Sequence, residues 1–188
     1  MVSARQILHD VFGYPEFRGQ QAAVVDTLAA GQSLLALMPT GAGKSLCYQI
    51  PALMREGVAI VVSPLIALMN DQVAALTAAG VAAAAVHSGT SAEAVRQISA
   101  DIDSGSLKLL YVAPERLVSE RFLRFLDRIR ISLFAIDEAH CVSQWGTTSA
   151  PNINNWSCWP SAIPPCRALR SPPPPTTPPA PTSSIICT

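Results

Sequence analysis

Between residues 19 and 136, short apolar runs alternate with longer stretches in which apolar positions recur at helical spacing. The apolar runs predict strands at Ser33–Met38, Val58–Val62, Leu107–Val112 and Ile131–Ile136, and an alanine-rich run indicates a further short strand at Val81–Val86. The stretches between them predict helices at Gly19–Ala30, Ser45–Arg55, Pro64–Ala79, Ser91–Ser104 and Glu115–Arg130. Nearly continuous apolar strands separated by helices are typical of a parallel sheet covered on both faces. The sequence therefore predicts an α/β fold.

This pattern stops at residue 146. Residues 147–188 show no apolar periodicity and contain 11 of the 16 prolines, including the run Pro172–Pro175. Their only charged side chains are Arg167 and Arg170. Because proline removes backbone donors, we expect an irregular, disordered tail at 147–188 that follows one domain at 1–146.

The charges of the chain are balanced, with 13 basic and 13 acidic side chains. Residues 1–146 hold all 13 acids and 11 of the basic residues, a net charge of −2. Binding to nucleic acid must therefore come from a local face rather than from overall charge. No apolar run reaches the ~18 to 20 residues that span a bilayer, and the N-terminus lacks a signal-peptide core. We expect a cytoplasmic protein with no membrane partner.

A glycine-rich turn, Pro-Thr-Gly-Ala-Gly-Lys-Ser, joins the first predicted strand to a helix. Glycines let backbone N–H groups turn inward around a polyphosphate, and the helix adds its positive N-terminal end. Lys44 is placed to reach the β- and γ-phosphates, and the Ser45 hydroxyl to bind Mg²⁺. The residues predicted to cradle the phosphates are Thr40, Gly41, Ala42, Gly43, Lys44 and Ser45. The motif departs from G-x-x-x-x-G-K-[ST] at Met38, and a plain glycine-rich turn is the alternative.

Two carboxylates follow the last predicted strand, in the sequence Asp-Glu-Ala-His. The carboxyl end of a parallel strand lies at the sheet edge from which the phosphate loop also emerges. Asp137 is then placed to hold Mg²⁺ through water, and Glu138 to orient and deprotonate an attacking water. The alternative is an acidic surface turn. The ATPase interpretation requires both clusters to converge on one Mg²⁺-bound triphosphate.

Together with three further segments, these motifs resemble RecQ DNA helicases, which belong to helicase superfamily two. The resemblance covers essentially residues 5–146. Its segments are Phe12–Gln21 (adenine recognition), Met38–Ala52 (phosphate loop, with the same substitution of the first glycine), Val62–Gln72 (DNA-backbone contact), Tyr111–Leu117 (a further motif) and Asp137–Gly146 (Mg²⁺ motif and the start of an aromatic-rich loop).

The resemblance implies a RecA-like first lobe that uses ATP and Mg²⁺ for 3′-to-5′ unwinding of duplex DNA, with single-stranded or forked DNA as its partner. It also implies roles in DNA repair and recombination and, in a bacterium, association with the nucleoid. The Gln21 carboxamide suits the two-faced edge of adenine. Tyr14 is placed to stack on the base and Arg18 to assist. A hydrophobic patch under the first helix is the alternative for Tyr14 and Phe17.

Four residues are expected to serve DNA binding or its coupling to the nucleotide. Ser63, next to the helix that follows Pro64, is expected to meet a DNA phosphate. Gln144 and Trp145 are expected to contact DNA, with Trp145 stacking on an unpaired base or, alternatively, lying in the core. His140 is expected to link the nucleotide site to this loop rather than to bind metal, because no second ligand lies at metal spacing.

Arginines recur at helical spacing within Glu115–Arg130, alternating with apolar residues. This pattern predicts an amphipathic helix with a solvated basic face, and DNA contact there is the alternative.

The family pattern breaks after Gly146. The codons of residues 147–151, regrouped one nucleotide earlier, can spell the family's His-Asp-Phe-Arg-Pro, and those of 166–176 can spell a run with Ala-Leu-Thr-Ala-Thr-Ala. We therefore hypothesise a single-nucleotide deletion near this boundary. The family places its Thr-Ala-Thr strand between the phosphate-loop strand and the Asp-Glu-Ala-His strand, so its loss is expected to leave backbone groups of both strands unpaired.

Three functions stay open. The chain is the N-terminal fragment of an ATP-dependent helicase, a remnant that binds ATP and nucleic acid without turnover, or a module whose proline-rich tail docks a partner. In the family, a second lobe supplies an arginine finger, worth ~10³ to 10⁵ in rate, and we expect this chain to lack that lobe. We expect a monomer that uses no small molecule beyond ATP and water and turns over little by itself.

Overall fold

The computed structural model describes residues 2–39, 41–117, 119–138 and, as backbone, 182–187. In chain order, its elements are α1 (Ala4–Asp10), α2 (Gln21–Ala29), β1 (Leu34–Pro39), α3 (Lys44–Met54), β2 (Val58–Val62), α4 (Ile66–Ala78), β3 (Ala83–Val86), α5 (Ala92–Asp103), β4 (Leu109–Val112), α6 (Pro114–Leu117), α7 (Glu120–Leu126), β5 (Ile131–Ile136) and β6 (Thr182–Cys187). Each predicted strand is present, including the weakly indicated one at β3.

The strands form one sheet with the order β1-β6-β5-β2-β4-β3. The four strands β5, β2, β4 and β3 are parallel and in register at their carboxyl ends, where Val62 pairs with both Ile136 and Val112. This confirms the predicted α/β class with a parallel sheet. Loops that follow these strands therefore share one edge of the sheet.

Both faces of the central strand β2 are buried. Ala59 and Val61 pack with α2, α3 and α4 on one face. Val58, Ile60 and Val62 pack with α5, α6 and α7 on the other. This alternation explains why the strand reads as continuously apolar. In the described ranges, no helix is long and apolar enough to cross a membrane.

At β1, the helical cover reaches one face. Leu34, Ala36 and Met38 lie in the same core as α2 and α3. Leu37, which points to the opposite face, is 54% exposed. The described helices on that face, α5 to α7, pack on the other strands instead. The expected two-sided cover therefore stops short of β1 within the described residues.

The single helix predicted at Glu115–Arg130 is wrong, because a serine divides it into α6 and α7. The Ser119 hydroxyl accepts a hydrogen bond from the Phe122 N–H at 3.3 Å, which makes Ser119 the N-cap of α7. A serine in this position offers the backbone a cap in place of a continued helix. The helix α1, which the periodicity did not predict, begins in the same way, with Ser3 accepting from the Gln6 N–H at 3.2 Å.

The strand β6 occupies the position between β1 and β5 and runs antiparallel to both. It pairs with β1 along the whole of that strand and with β5 through Ala135 and Ile136. The expectation of an irregular tail is therefore wrong at residues 182–187. The expectation of unpaired backbone groups on β1 and β5 is also wrong, because β6 pairs with both strands. Ladder hydrogen bonds use backbone groups alone, so an extended segment of different sequence can satisfy them.

Replacing Ile186 with proline tests whether β6 supports the sheet. Because Ile186 pairs with both Leu35 and Ile136, its N–H faces a neighbouring strand. Losing that donor is expected to lower the free energy of unfolding by about 1 kcal/mol or more, which lowers the melting temperature by roughly 2–4 °C per kcal/mol. The same substitution at Thr176, outside β6, is the control. Equal melting temperatures for both variants would contradict a supporting role.

Candidate functional site

The loop between β1 and α3 takes its shape from two glycines. Gly41 and Gly43 have φ angles of 81° and 71°, in the left-handed region that favours glycine. Gly43 is the N-cap of α3, and no side chain caps this helix. The Leu46 N–H donates to the Gly43 carbonyl at 3.3 Å. The N–H groups of Lys44 and Ser45, which precede it, have no acceptor within the helix and carry its positive dipole end. The loop therefore has the geometry of an anion site.

Met38, which stands where the usual motif has its first glycine, still lies in β1. Its side chain is 5% exposed and its Sδ contacts the Cys47 Sγ at 3.8 Å. The position belongs to the strand and its core, so the loop can form without a glycine there. Burial also raises the pKa of the Cys47 thiol to about 12, which keeps the sulfur neutral.

The two predicted clusters lie side by side. The Asp137 N–H donates to the Val62 carbonyl at 2.9 Å, which extends the β5–β2 ladder by one residue. From the next residue, Glu138 Oε1 forms an ion pair with Lys44 Nζ at 3.1 Å. Both side chains of this pair are largely buried. The loop and the carboxylates therefore converge at the same sheet edge, as the sequence predicted.

The backbone turns sharply at Glu138, whose φ of 53° lies in the left-handed region. This conformation costs a residue with a Cβ roughly 1–2 kcal/mol. Its N–H donates to Asp137 Oδ1 at 2.9 Å, which holds the turn. Strain of this kind is typical of functional sites, where the surrounding structure fixes it.

Asp137 is a buried carboxyl at 5% exposure. Burial raises its pKa, and the positive charge of Lys44 and the Glu138 N–H oppose that rise. The Tyr48 hydroxyl lies 3.4 Å from Asp137 Oδ2. Because burial raises the pKa of Tyr48 well above its usual value, this phenol stays protonated and donates.

A buried polar network continues from this carboxyl into the lobe. The rings of Tyr48 and Tyr111 meet edge to face, with centroids 6.5 Å apart. Gln49 Nε2 donates to the Tyr111 hydroxyl at 3.1 Å and to Gln72 Oε1 of α4 at 2.8 Å. The sequence predicts no individual site role for any of these four residues, although Gln72 ends the segment Val62–Gln72 that resembles a DNA-backbone contact. The signal that could have found them is a glutamine, Gln49, among apolar residues of a buried helix.

Gln21 joins the predicted adenine segment to the phosphate loop. Its Nε2 donates to the carbonyls of Ala42 at 2.8 Å and Gly43 at 3.2 Å. Its Oε1 accepts from the Arg18 N–H at 2.9 Å, so the buried carboxamide has partners at both ends. Its predicted contact with adenine stays a prediction, and its bonds to the loop are a feature that the sequence did not reveal.

The structure separates Tyr14 from Phe17, two of the aromatic residues of this segment. Phe17 packs against the cluster formed by α1, Val25 and Ile50, which is the alternative considered for it from the sequence. Tyr14 is 46% exposed, so its ring is accessible to a ligand. Stacking by Tyr14 stays a prediction.

Ser63 follows β2 at the same sheet edge. It is buried, its N–H donates to the Val112 carbonyl at 3.2 Å, and its hydroxyl has no hydrogen-bond partner among the described residues. Leu65 and Ile66, at the start of α4, are exposed. The predicted contact of Ser63 with DNA stays a prediction. Four other predicted site residues lie outside the described ranges: Thr40, His140, Gln144 and Trp145.

The donors present fit a magnesium ion that a nucleotide brings with it. Mg²⁺ prefers oxygen ligands and is usually held by one or two carboxylates together with substrate phosphates. Asp137 supplies a carboxylate and Ser45, at the start of α3, a hydroxyl. Within the described residues, no group of three His, Cys, Asp or Glu side chains could hold a metal by itself.

Two glycine-to-alanine variants separate backbone strain from the Gln21 contact. A Cβ on Gly43 would lie 2.5 Å from Gln21 Nε2, whereas one on Gly41 would have nothing within 4 Å. Both variants are expected to lose roughly 1–2 kcal/mol to left-handed strain, and Gly43→Ala about 1–3 kcal/mol more because Gln21 must leave the loop. Urea unfolding measures both values. Equal losses would show that Gln21 does not hold the loop.

Asp137→Asn is expected to stabilise the fold near neutral pH. Because burial raises the folded-state pKa of Asp137, the folded protein holds this proton more tightly than the unfolded chain. The stabilisation from this bound proton is complete below the pKa of the carboxyl in the unfolded chain, and it is lost as the pH rises through the pKa in the folded protein. At neutral pH the buried negative charge therefore lowers the free energy of unfolding. Melting temperatures from pH 4 to 8 should favour the variant increasingly as pH rises, with exposed Asp26→Asn as control. A less stable variant at pH 8 would refute this.

Comparisons with known proteins agree with this geometry. The DEAD/DEAH box helicase family matches residues 18–155. The ATP-dependent DNA helicase RecQ of Pasteurella multocida is 45% identical over 164 residues, covering 85% of this chain and 26% of that protein. RecQ of Bacillus subtilis is 49% identical over 153 residues, covering 81% and 26%. ATP-dependent DNA helicase Q5 of Rattus norvegicus is 39% identical over 175 residues, covering 88% and 18%.

The chain thus spans about a quarter or less of the length of these relatives. The family match covers most of the chain and includes the loop and both carboxylates. The chain belongs to the DEAD/DEAH box helicase family, and within it resembles the RecQ helicases.

Proposed function

We propose that residues 1–146 are the ATP-binding first lobe of a RecQ-type ATP-dependent DNA helicase and that 147–188 are a tail outside it. The observation that supports this best is the ion pair between Lys44 of the loop and Glu138 at 3.1 Å. It brings the anion site and the carboxylates within reach of one ligand. The family match ends at residue 155, so most of the tail lies beyond it.

The phosphates of ATP would lie against the backbone of the loop. Amides of Gly41 to Ser45 would surround them, and Lys44 would exchange its pairing with Glu138 for the β- and γ-phosphates. Mg²⁺, held by Ser45 and Asp137, would neutralise charge on the phosphates. Glu138 would then be available to orient the attacking water and take its proton.

The adenine and DNA contacts are further parts of this proposal. Tyr14 would stack on adenine, Arg18 would assist, and Gln21 would bind the edge of the base. The exposure of Tyr14 supports stacking. Gln21 lies beside the loop through its bonds to Ala42 and Gly43, and it would exchange these partners for the base. On the DNA side, Ser63, Gln144 and Trp145 would contact the strand, and His140 would couple this contact to the nucleotide.

At the level of the parent protein, we propose 3′-to-5′ unwinding of duplex DNA during repair and recombination, with single-stranded or forked DNA as the bound partner. The relatives are named ATP-dependent DNA helicases, which supports ATP and DNA as ligands. We propose a cytoplasmic monomer, associated with the nucleoid in a bacterium.

A second candidate is a remnant that binds Mg-ATP with little turnover. The chain covers about a quarter of its RecQ relatives, and in the family a second lobe supplies the arginine finger. An arginine finger is worth ~10³ to 10⁵ in rate in related phosphoryl transfers. The described residues, by contrast, include Gly41–Ser45 of the loop and both carboxylates.

The chain contains two lysines, which give a matched pair of variants. Lys44→Ala is expected to weaken binding of Mg-ATP by about 10- to 100-fold, because a charge-assisted bond is worth roughly 1.5–3 kcal/mol. Lys108→Ala, away from the loop, should leave affinity unchanged. Titration with a fluorescent ATP analogue measures both. Equal affinities in the two variants would refute the proposed site.

Hydrolysis measured with and without single-stranded DNA separates the two candidates. Little turnover with intact binding supports the remnant. DNA-stimulated hydrolysis that Lys44→Ala abolishes supports an enzyme in which this lobe hydrolyses ATP by itself. Resequencing the gene at the codons of residues 146 and 147 tests the proposed frameshift, which an intact reading frame would exclude.

A further inference from the structure

A cleft with an arginine rim lies between α5 and α7, and none of the residues that line it belongs to the candidate nucleotide site. Its volume is about 610 Å³, within the roughly 300–1,000 Å³ typical of ligand pockets. Its apolar floor is formed by Val86, Val95, Ile98, Leu110, Phe122 and Phe125. Its rim includes Arg96, Arg116, Arg121, Arg124 and Arg128. We call this feature the arginine cleft.

The rim concentrates positive charge in a lobe that is negative overall. Five of the chain's 11 arginines line the cleft, and no Asp or Glu is among the described residues that line it. Glu120 pairs with Arg124 at 3.4 Å, but both side chains are exposed and such pairs contribute little. Arg116 Nε donates to the His87 carbonyl at 3.3 Å, which fixes one guanidinium at the rim. The cleft therefore favours an anionic ligand.

The floor decides which kind of anion fits. The phosphates of a nucleic-acid backbone cannot fill an apolar floor, and bases require an accessible ring face for stacking. Phe122 and Phe125 are partly buried, pack on the core below them, and lie tilted at 43° with centroids 5.8 Å apart. A peptide can match both parts of the cleft. Each carboxylate can accept two parallel hydrogen bonds from one guanidinium group of the rim, and an apolar side chain can fill the floor.

The chain's own tail does not fit this description. Residues 147–188 contain two arginines and no acidic residue, so their charge is not complementary to the rim. We propose that the arginine cleft is a docking site for an acidic segment of a partner protein that carries an apolar anchor residue. In the sheet, its strands β3 and β4 lie at the end opposite β1. A bound partner would therefore leave the nucleotide site accessible.

Fluorescence anisotropy with the full chain tests this proposal. The probe is a labelled peptide of about ten residues that combines Asp and Glu with one Leu and one Phe, and its control has Ser in place of both apolar residues. Saturable binding of the probe, with about tenfold weaker binding of the control peptide, is expected because an anchor residue contributes at least 1.4 kcal/mol. Equal binding of both peptides would overturn the proposed role of the floor.

Variants locate the binding to the cleft. The double variant Arg121→Glu, Arg128→Glu is expected to weaken probe binding about tenfold or more. Ser99→Trp, which fills the cleft without changing charge, should also weaken it, and it serves as the test if charge reversal impairs folding. Arg5→Glu, on α1, is the matched control and should change affinity less than about twofold. If Ser99→Trp and Arg5→Glu both leave binding unchanged, the proposal fails.

Two other occupants would overturn the proposal in recognisable ways. The first is nucleic acid. It would be the ligand if single-stranded oligothymidylate of equal charge bound tighter than the peptide and lost affinity in the double variant. Self-association in sedimentation that Ser99→Trp abolishes would assign it to a second copy of this chain. Titration of the same variants with nucleotide keeps this test separate from that of the nucleotide site. Their affinity for Mg-ATP should be unchanged, because Lys44 and Glu138 are intact in them.

Discussion

The candidate site depends on the spacing between β1 and β5. Neighbouring strands lie about 4.8 Å apart, so two strands with one between them are separated by about 10 Å. The loop after β1 supplies Lys44 and the turn after β5 supplies Glu138, and their long side chains meet at 3.1 Å across this gap. A sheet that closed the gap would crowd the phosphate site. A sheet that lost β1 would separate the lysine from the carboxylates.

The strand β6 maintains this spacing without the sequence that the family places there. A parallel strand next to β5 would need a crossover that returns the chain to the amino-terminal ends of the strands. An antiparallel strand can start at the carboxyl ends, where β5 itself stops. Thr182 pairs with Pro39 at those ends, which fits the second route. The backbone requirement is thereby met, although the direction of the strand is reversed.

Local chemistry explains which features the sequence revealed. Glycines before Lys44 and acids after an apolar strand have one main structural use in a parallel sheet, so the convergence of Lys44 and Glu138 was predictable. The role of Gln21 in holding the loop could not be predicted. It depends on hydrogen bonds to the backbone carbonyls of Ala42 and Gly43, and no sequence motif links these residues to Gln21. The division at Ser119 was missed because helical periodicity outweighed a single capping residue. The strand β6 lies in a proline-rich tail, where composition opposes the assignment and tertiary pairing decides it.

Two features of the site oppose folding, and a bound cation would relieve the first of them. Asp137 is buried, with its pKa raised by burial, and Glu138 is held in a left-handed conformation. Neither feature helps the lobe fold, since one disfavours the charged carboxylate and the other strains the backbone. A divalent cation next to Asp137 favours its charged form, and phosphates next to Lys44 would release Glu138 from its ion pair. The lobe without ligand is therefore less stable because of groups that lie where Mg-ATP would bind. Binding of Mg-ATP should raise the free energy of unfolding of the lobe.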